Sequence, residues 1–218
     1  MICWGKMIKA CIFDFDGVVI DSEKYHHLGW LWVANELGVD LTYEEYAPFK
    51  SAGRAKMIPY LFEKAGRVMQ EGDFEKYSKI REEKIAVAIA MLNENDIMPG
   101  IVKFIQLLKS NGIKVAVASA SASSNKVAKR FGLYELFDVF VDGEAKRLAK
   151  PNPDIFLYTA ELLGAKPHEC VVFEDSINGV LAANNAQMKC VGVQTYFTDK
   201  ADKIIDSFVN ANLQLLIF

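Results

Sequence analysis

The stretch that most constrains this chain is residues 8–22, an apolar run that leads into two aspartates. Residues 8–13 are apolar except for one lysine, a pattern typical of a strand buried on both faces of a parallel sheet. Asp14 and Asp16 follow, and because residues two apart on a strand point to the same side, both carboxylates can face one crevice. Gly17 then permits a turn. Unpaired charge is costly to bury, so the pair predicts a compensating divalent cation. A solvated acidic loop is the alternative.

The second half of the chain alternates apolar strand patterns with helical patterns. Such alternation predicts an α/β fold, a Rossmann-like doubly wound parallel sheet with helices on both faces. The predicted strands after the first are 113–118, 137–141, 170–173 and 189–193, and the predicted helices are 101–110, 126–131, 153–163 and 178–185. The tail from Asp199 onward is predicted to form a helix and a last short strand.

Residues 22–95 contain helical patterns and no convincing strand. The predicted helices are 24–37, which ends at a glycine, 43–49, 54–65 and 74–91. A polar stretch at 93–96 suits a hinge that returns the chain to the sheet. We therefore expect two domains: an α/β core made of residues 1–21 and 96–218, and an inserted all-helical domain made of residues 22–95.

Composition excludes several classes of protein. The 218 residues are 51 % hydrophobic with a net charge of −3, and no stripe of basic residues stands out, so nucleic acid is not an expected partner. No apolar run approaches the ~20 residues of a membrane span, and the two aspartates interrupt any signal peptide. The four cysteines form no CxxC pair and suit a reducing compartment. We expect a monomeric, cytoplasmic protein with no zinc site.

Three more predicted strand ends carry polar side chains. Ser119 lies in a serine-rich loop whose hydroxyl and N–H groups can surround a phosphate, although most such clusters are ordinary loops. Lys150 precedes a proline that restrains its backbone, although it could be a surface lysine. Glu174 and Asp175 end an apolar strand as Asp14 does, although they could be a charge pair at a helix start.

Taken in order, Asp14-x-Asp16-Gly17, Ser119, Lys150-Pro-x-Pro and Glu174-Asp175 resemble the four signatures of the haloacid dehalogenase superfamily. The resemblance implies that Asp14 is a nucleophile that forms an aspartyl-phosphate and that Asp16 is a general acid and base. It also implies that Mg²⁺ is held by Asp14, Asp16, Glu174 and Asp175, with Asp16 acting through its backbone carbonyl. Lys150 and the metal would offset phosphoryl charge. The second aspartate favours phosphoryl transfer over dehalogenation.

The helical insertion resembles the cap of this superfamily's first subclass, and its residues are similar to those of the β-phosphoglucomutase family. The resemblance implies that the cap residues bind a small phosphorylated sugar, that a histidine governs access to Asp16, and that an arginine grips the non-reacting phosphate. The matching positions are His26, Trp30, Lys50, Arg54, Ala120 and Ser121, with Arg81 where that family has a lysine. His26, Lys50 and Arg54 could instead be surface residues, and Trp30 could simply pack within the cap.

Two departures keep a second activity open. The family continues Ser-Ala-Ser with Lys-Asn, which contact the distal phosphate, whereas this chain has Ala122 and Ser123. Gly53 replaces a serine beside the arginine. A sugar-phosphate phosphatase would keep the core residues and lose only the contacts to the distal phosphate, so it is the alternative to the mutase. A non-enzymatic phospho-switch lacks such a helical insertion, and a silent binding relative would not need the intact acidic set.

Overall fold

A computed structural model describes residues 8–194 and 200–218. The sheet has six parallel strands in the order β3-β2-β1-β4-β5-β6, which confirms the predicted fold class. The strands are β1 Ala10–Phe13, β2 Lys114–Ala118, β3 Val139–Val141, β4 Cys170–Glu174, β5 Lys189–Val193 and β6 Lys203–Ile205. Strand β1 is central, with Phe13 in register with Val117 on one side and Phe173 on the other.

Helices cover both faces of the sheet, as the two-sided apolar strands require. They are α5 Ile101–Ser110, α6 Ser124–Arg130, α7 Asp154–Leu163 and α8 Ile177–Asn185. On one face the rings of Phe13 and Phe173 stack at 4.7 Å and meet Phe104 of α5. On the other face Ile12 lies in a cluster with Phe156 of α7 and Val180 of α8. This packing holds the carboxyl end of β1 rigidly.

The insertion between β1 and α5 is helical, as predicted. It contains α1 Glu23–Leu37, α2 Tyr43–Tyr46, α3 Arg54–Lys64 and α4 Asp73–Ala90. These helices share a hydrophobic cluster of their own, which includes Trp30, Met57 and Tyr77. The division of the chain at residues 21/22 and 95/96 stays a prediction, and we call residues 22–95 the cap. Of the described helices, none is both long and apolar enough to cross a membrane.

The two connections between cap and core run side by side. Ile20 and Ile97 form an antiparallel bridge, and Asp21 N–H donates to the carbonyl of Asp96 at 2.6 Å. The Asp96 carboxylate is buried and accepts from Lys24 Nζ at 2.6 Å. The predicted polar hinge is therefore a short 3₁₀ turn, Glu94–Asp96, tied to the outgoing connection.

The predicted tail helix is wrong in the described residues 200–218. Those residues contain β6 and a 3₁₀ turn, Leu213–Leu216, but no α-helix. Phe208 is buried against the core, and its backbone lies so close to Gly100 that a Cβ there would be 2.4 Å from it. Burial of Phe208 in the core holds this segment in an irregular conformation in place of the predicted helix. The predicted start at Asp199, like the N-terminal residues 1–7, lies outside the described residues.

Candidate active site

The functional side chains predicted at the strand ends meet at one edge of the sheet. Asp14 follows β1, Ser119 follows β2, and Glu174 and Asp175 stand at the end of β4. Because β1 lies between β2 and β4, these ends are neighbours. Backbone hydrogen bonds fix them: Asp14 N–H donates to the Phe173 carbonyl at 2.9 Å, and Ser119 N–H to the Val141 carbonyl at 2.9 Å.

Lys150 lies at the centre of this edge. Its side chain is 1 % exposed, so the surface-lysine alternative is wrong. Its Nζ donates to Asp14 Oδ1 at 2.6 Å and to Glu174 Oε1 at 2.5 Å. Burial favours the neutral amine, but the two carboxylates outweigh it and raise the pKa of Lys150. The lysine therefore remains a buried cation between two acids.

The carboxylates outnumber the cations around them. Burial raises the pKa of Asp14 well above its usual value, although Lys150 partly offsets this. Burial likewise raises the pKa of Asp175 to about 7, with Lys50 opposing the rise and Glu174 adding to it. Such a cluster is unfavourable in isolation, and hard oxygen donors of this kind suit a divalent ion such as Mg²⁺.

Two glycines allow the acids to approach. A Cβ at Gly17 would lie 2.3 Å from Asp175 Oδ2, and one at Gly179 would lie 1.9 Å from the Glu174 carboxyl group. Glu174 Oε2 also accepts from the N–H and hydroxyl of Ser176 at 2.8 and 2.9 Å. Both oxygens of Glu174 thus accept hydrogen bonds from protein groups. Within residues 8–194 and 200–218, no group of three or more acidic, histidine or cysteine side chains is arranged to hold a metal ion.

Asp16 is held by the connection to the cap and by the first cap helix. Its Oδ1 accepts from the Ser22 hydroxyl at 2.5 Å and lies 3.0 Å from His26 Nε2. Burial alone would raise the pKa of Asp16, but the interactions with His26 and Ser22 outweigh it and lower that pKa. Sequence reasoning missed Ser22, although its place beside the first acidic motif was a usable signal.

Arg81 orients the histidine. Its Nη2 lies 3.2 Å from His26 Nδ1, and since arginine can only donate, Nδ1 must accept. With Nδ1 as the acceptor, the ring proton is on Nε2, the nitrogen that lies 3.0 Å from Asp16 Oδ1. The guanidinium is buried over the Trp30 ring at 4.8 Å, and this burial lowers the pKa of Arg81 to about 10. Arg81 thus supports His26, and neither Arg81 nor Trp30 is among the residues that line the cavity between cap and core.

The cap loop before α3 is tied to the core. Lys50 Nζ lies 2.5 Å from Asp175 Oδ2, and the Asn178 side chain donates to the carbonyls of Pro48 and Lys50 at 3.0 and 2.8 Å. Asn178 gave no signal in the sequence because its partners lie about 130 residues away. These contacts hold the cap against the carboxylate cluster.

A cavity of ≈ 710 Å³ lies between cap and core, next to Lys150. Ser119, Ala120 and Arg54 line it, as the sequence led us to expect. Arg54 forms an ion pair with Glu82 of α4, and both side chains are largely exposed. The Ser121 hydroxyl instead contacts Ser123 Oγ at 2.8 Å, within its own loop. The cavity is large enough for a sugar phosphate.

Comparison with protein families decides the family of this chain. The model described as haloacid dehalogenase-like hydrolase matches residues 8–187. The chain belongs to this family. The match covers both the strand ends and the cap, so the family resemblance seen in the sequence is confirmed.

Relatives within the family carry two kinds of name. The chain is 30 % identical to the "Beta-phosphoglucomutase" of Bacillus subtilis over 96 % of its own length and 94 % of the relative's. It is 34 % identical to the "Hexitol phosphatase B" of Escherichia coli, over 86 % of this chain and 84 % of that one. The crystal structure of a β-phosphoglucomutase from Clostridium difficile superposes with a TM-score of 0.88 at 30 % identity, covering 96 % of each chain.

A longer plant protein shares the same region. The chain is 35 % identical to "Protein SUPPRESSOR OF QUENCHING 1, chloroplastic" from Arabidopsis thaliana, and it spans 19 % of that protein's length. Together the family and these relatives identify the chain as an enzyme of the sugar-phosphate phosphatase or mutase type.

Proposed function

We propose that this enzyme transfers phosphoryl groups of sugar phosphates through an aspartyl-phosphate on Asp14, with Mg²⁺ as cofactor. The observation that carries the proposal is the buried contact of Lys150 with Asp14 and Glu174 at the carboxyl edge of the sheet. A carboxylate attacks an anionic phosphate only where positive charge offsets the repulsion. Lys150 supplies one such charge, because its Nζ lies 2.6 Å from Asp14 Oδ1.

In the first step an Asp14 oxygen forms a bond to phosphorus while the bond to the ester oxygen breaks. The leaving oxygen takes a proton from Asp16, which must carry one at that moment. In the second step Asp16 removes a proton from the acceptor hydroxyl as that oxygen attacks the aspartyl-phosphate and frees Asp14. The lowered pKa of Asp16 favours the ionised form, which is the form that the second step requires.

Asp14 and Asp175 are the side chains that we expect to hold Mg²⁺, together with the Asp16 main-chain carbonyl. Glu174 completes the acidic set, although its oxygens contact Lys150 and Ser176. The cation, when bound, would neutralise charge on the phosphoryl oxygens and on the acidic cluster.

We infer that the acceptor is a second sugar phosphate, so that the enzyme is a β-phosphoglucomutase that converts β-glucose 1-phosphate to glucose 6-phosphate. The contact of His26 with Asp16 supports this, because a cap histidine at the acid/base can couple its action to cap closure. Arg54 at the cavity wall is available to the non-reacting phosphate, since an exposed ion pair such as that with Glu82 is weak.

A sugar-phosphate phosphatase is the second candidate, with water as the acceptor. Ala122 and Ser123 provide no charge where the mutase family has Lys-Asn. The carboxylates of Glu75, Glu82 and Asp142 also line the cavity, where they suit sugar hydroxyls better than a second phosphate.

One assay separates the two. β-Glucose 1-phosphate with a trace of glucose 1,6-bisphosphate and Mg²⁺ should give glucose 6-phosphate, with little free phosphate, and Asp14→Asn should be inactive. Rapid release of free phosphate from a panel of sugar phosphates, without isomerisation, would make the enzyme a phosphatase. Failure to turn over any phosphate ester would refute both candidates.

A further inference from the structure

The cavity between cap and core has an unequal charge distribution. Its cationic side chains are Arg54, Lys79, Arg147 and Lys150, and its acidic ones are Glu75, Glu82 and Asp142. Lys150 is neutralised by two buried carboxylates, and Arg54 is paired with Glu82. Arg147 forms a longer ion pair, because its Nη1 lies 3.7 Å from Asp154 Oδ1, which is beyond hydrogen-bond distance.

Arg147 belongs to a segment that packs on the serine-rich loop. Gly143 N–H donates to the Ser121 carbonyl at 3.2 Å, and a Cβ at Gly143 would lie 2.7 Å from Ala122 N. The segment 143–150 therefore begins beside the serine-rich loop and ends at Lys150. In that loop Ala122 stands where the family has a lysine. Arg147 therefore supplies a positive charge to the cavity from a segment that packs beside this loop.

The guanidinium of Arg147 is held in place before any ligand arrives. Its Cζ lies 3.8 Å from the centre of the Tyr158 ring, a stacked arrangement. Asp154 Oδ2 accepts from the N–H of Leu148 at 3.1 Å, which anchors the backbone next to the arginine. The side chain is 34 % exposed, so its edge remains accessible from the cavity.

We propose that Arg147 binds the second phosphoryl group of a sugar bisphosphate and thereby determines specificity for doubly phosphorylated sugars. The proposal rests on the function proposed above. A stacked arginine offers parallel N–H groups that match two phosphate oxygens, and it replaces the cation missing at Ala122. Arg54 faces the same cavity from the cap, so the two arginines can hold one phosphate from both domains.

The test compares Arg147→Gln and Arg147→Lys with Lys146→Gln. Lys146 is exposed, adjacent in the same segment and outside the cavity lining, so its variant removes the same charge without touching the site. For each Mg²⁺-loaded enzyme, kcat/KM is measured with glucose 1,6-bisphosphate and with a small aryl phosphate. Affinity for glucose 1,6-bisphosphate and glucose 6-phosphate is measured by calorimetry in the Asp14→Asn background.

Arg147→Gln should lower kcat/KM for the bisphosphate by ~10–150-fold and weaken its binding similarly, while aryl phosphate turnover is unchanged. Arg147→Lys should recover only part, because lysine lacks the bidentate fork. Lys146→Gln should match the wild type. Parallel losses for both substrates, or equal effects of Arg147→Gln and Lys146→Gln, would overturn the proposal. If the wild type turned over no phosphate ester, the proposed function would fail, and the binding titrations would still decide the role of Arg147.

Discussion

Removal of the Lys150 ammonium should destabilise the protein strongly. In Lys150→Met the stem keeps its length, but Asp14 and Glu174 lose a partner at 2.6 and 2.5 Å in a region almost closed to water. Breaking a buried ion pair by removing one partner costs about 3–5 kcal/mol. For a chain of this size that corresponds to a fall in Tm of ~6–20 °C. The cost should grow with pH, because Asp14, whose pKa is raised by burial, can take up a proton at lower pH and so lose its unpaired charge.

The assay is thermal unfolding in excess chelator, so that metal binding does not mask the change. Lys189→Met is the matched control, because Lys189 pairs with Asp202 at the surface with its side chain 48 % exposed. Such a pair contributes about 0–1 kcal/mol. Adding Asp14→Asn to Lys150→Met should restore part of the loss, since one stranded charge disappears. If Lys150→Met cost no more than Lys189→Met, the lysine would not be buried between these acids.

Three further predictions test the cap and the acidic cluster. Arg54→Ala should lower kcat/KM for a sugar bisphosphate by ~10–150-fold and spare a small aryl phosphate, whereas Glu82→Gln should raise it up to about fivefold by releasing the arginine; parallel effects on both substrates would refute the phosphate contact. In chelator, stability should fall as pH rises from about 4 to about 7, because Asp175 has a raised pKa near 7 in the folded state and the unfolded chain binds fewer protons there; Asp175→Asn should flatten this dependence, and an unchanged slope would place its origin elsewhere. Asn178→Ala removes two hydrogen bonds to the cap loop; we expect faster proteolysis in that loop and a higher KM, while unchanged proteolysis would show that these bonds do not hold the cap.

The core of the site was predictable because its position follows from sheet geometry. An apolar run that ends in Asp14, and another that ends in Glu174, must bring those acids together once the strands are parallel neighbours. Ser119 follows β2 directly, so the same pattern placed it at that edge. Lys150 lies nine residues after the end of β3, and its place was expected from the resemblance of the Lys150-Pro-x-Pro motif to the family signature.

The cap contacts could not be predicted because they depend on how separate helices pack. Arg54 of α3 pairs with Glu82 of α4, and Asn178 donates to backbone carbonyls about 130 residues earlier in the sequence. No local pattern encodes such pairs. The helix predicted in the tail was wrong for a related reason, since burial of Phe208 near Gly100 outweighs helical propensity. The support that Arg81 gives to His26 also required the packed structure.

The most direct test is to trap the phosphorylated enzyme. Mg²⁺-loaded protein is mixed with a sugar bisphosphate, quenched in acid within the first turnover, and analysed by mass spectrometry of the peptide that contains Asp14. The proposal predicts one phosphoryl group on Asp14, lost on treatment with hydroxylamine and absent from Asp14→Asn. Full turnover by Asp14→Asn, or a phosphoryl group on another residue of the wild type, would contradict it.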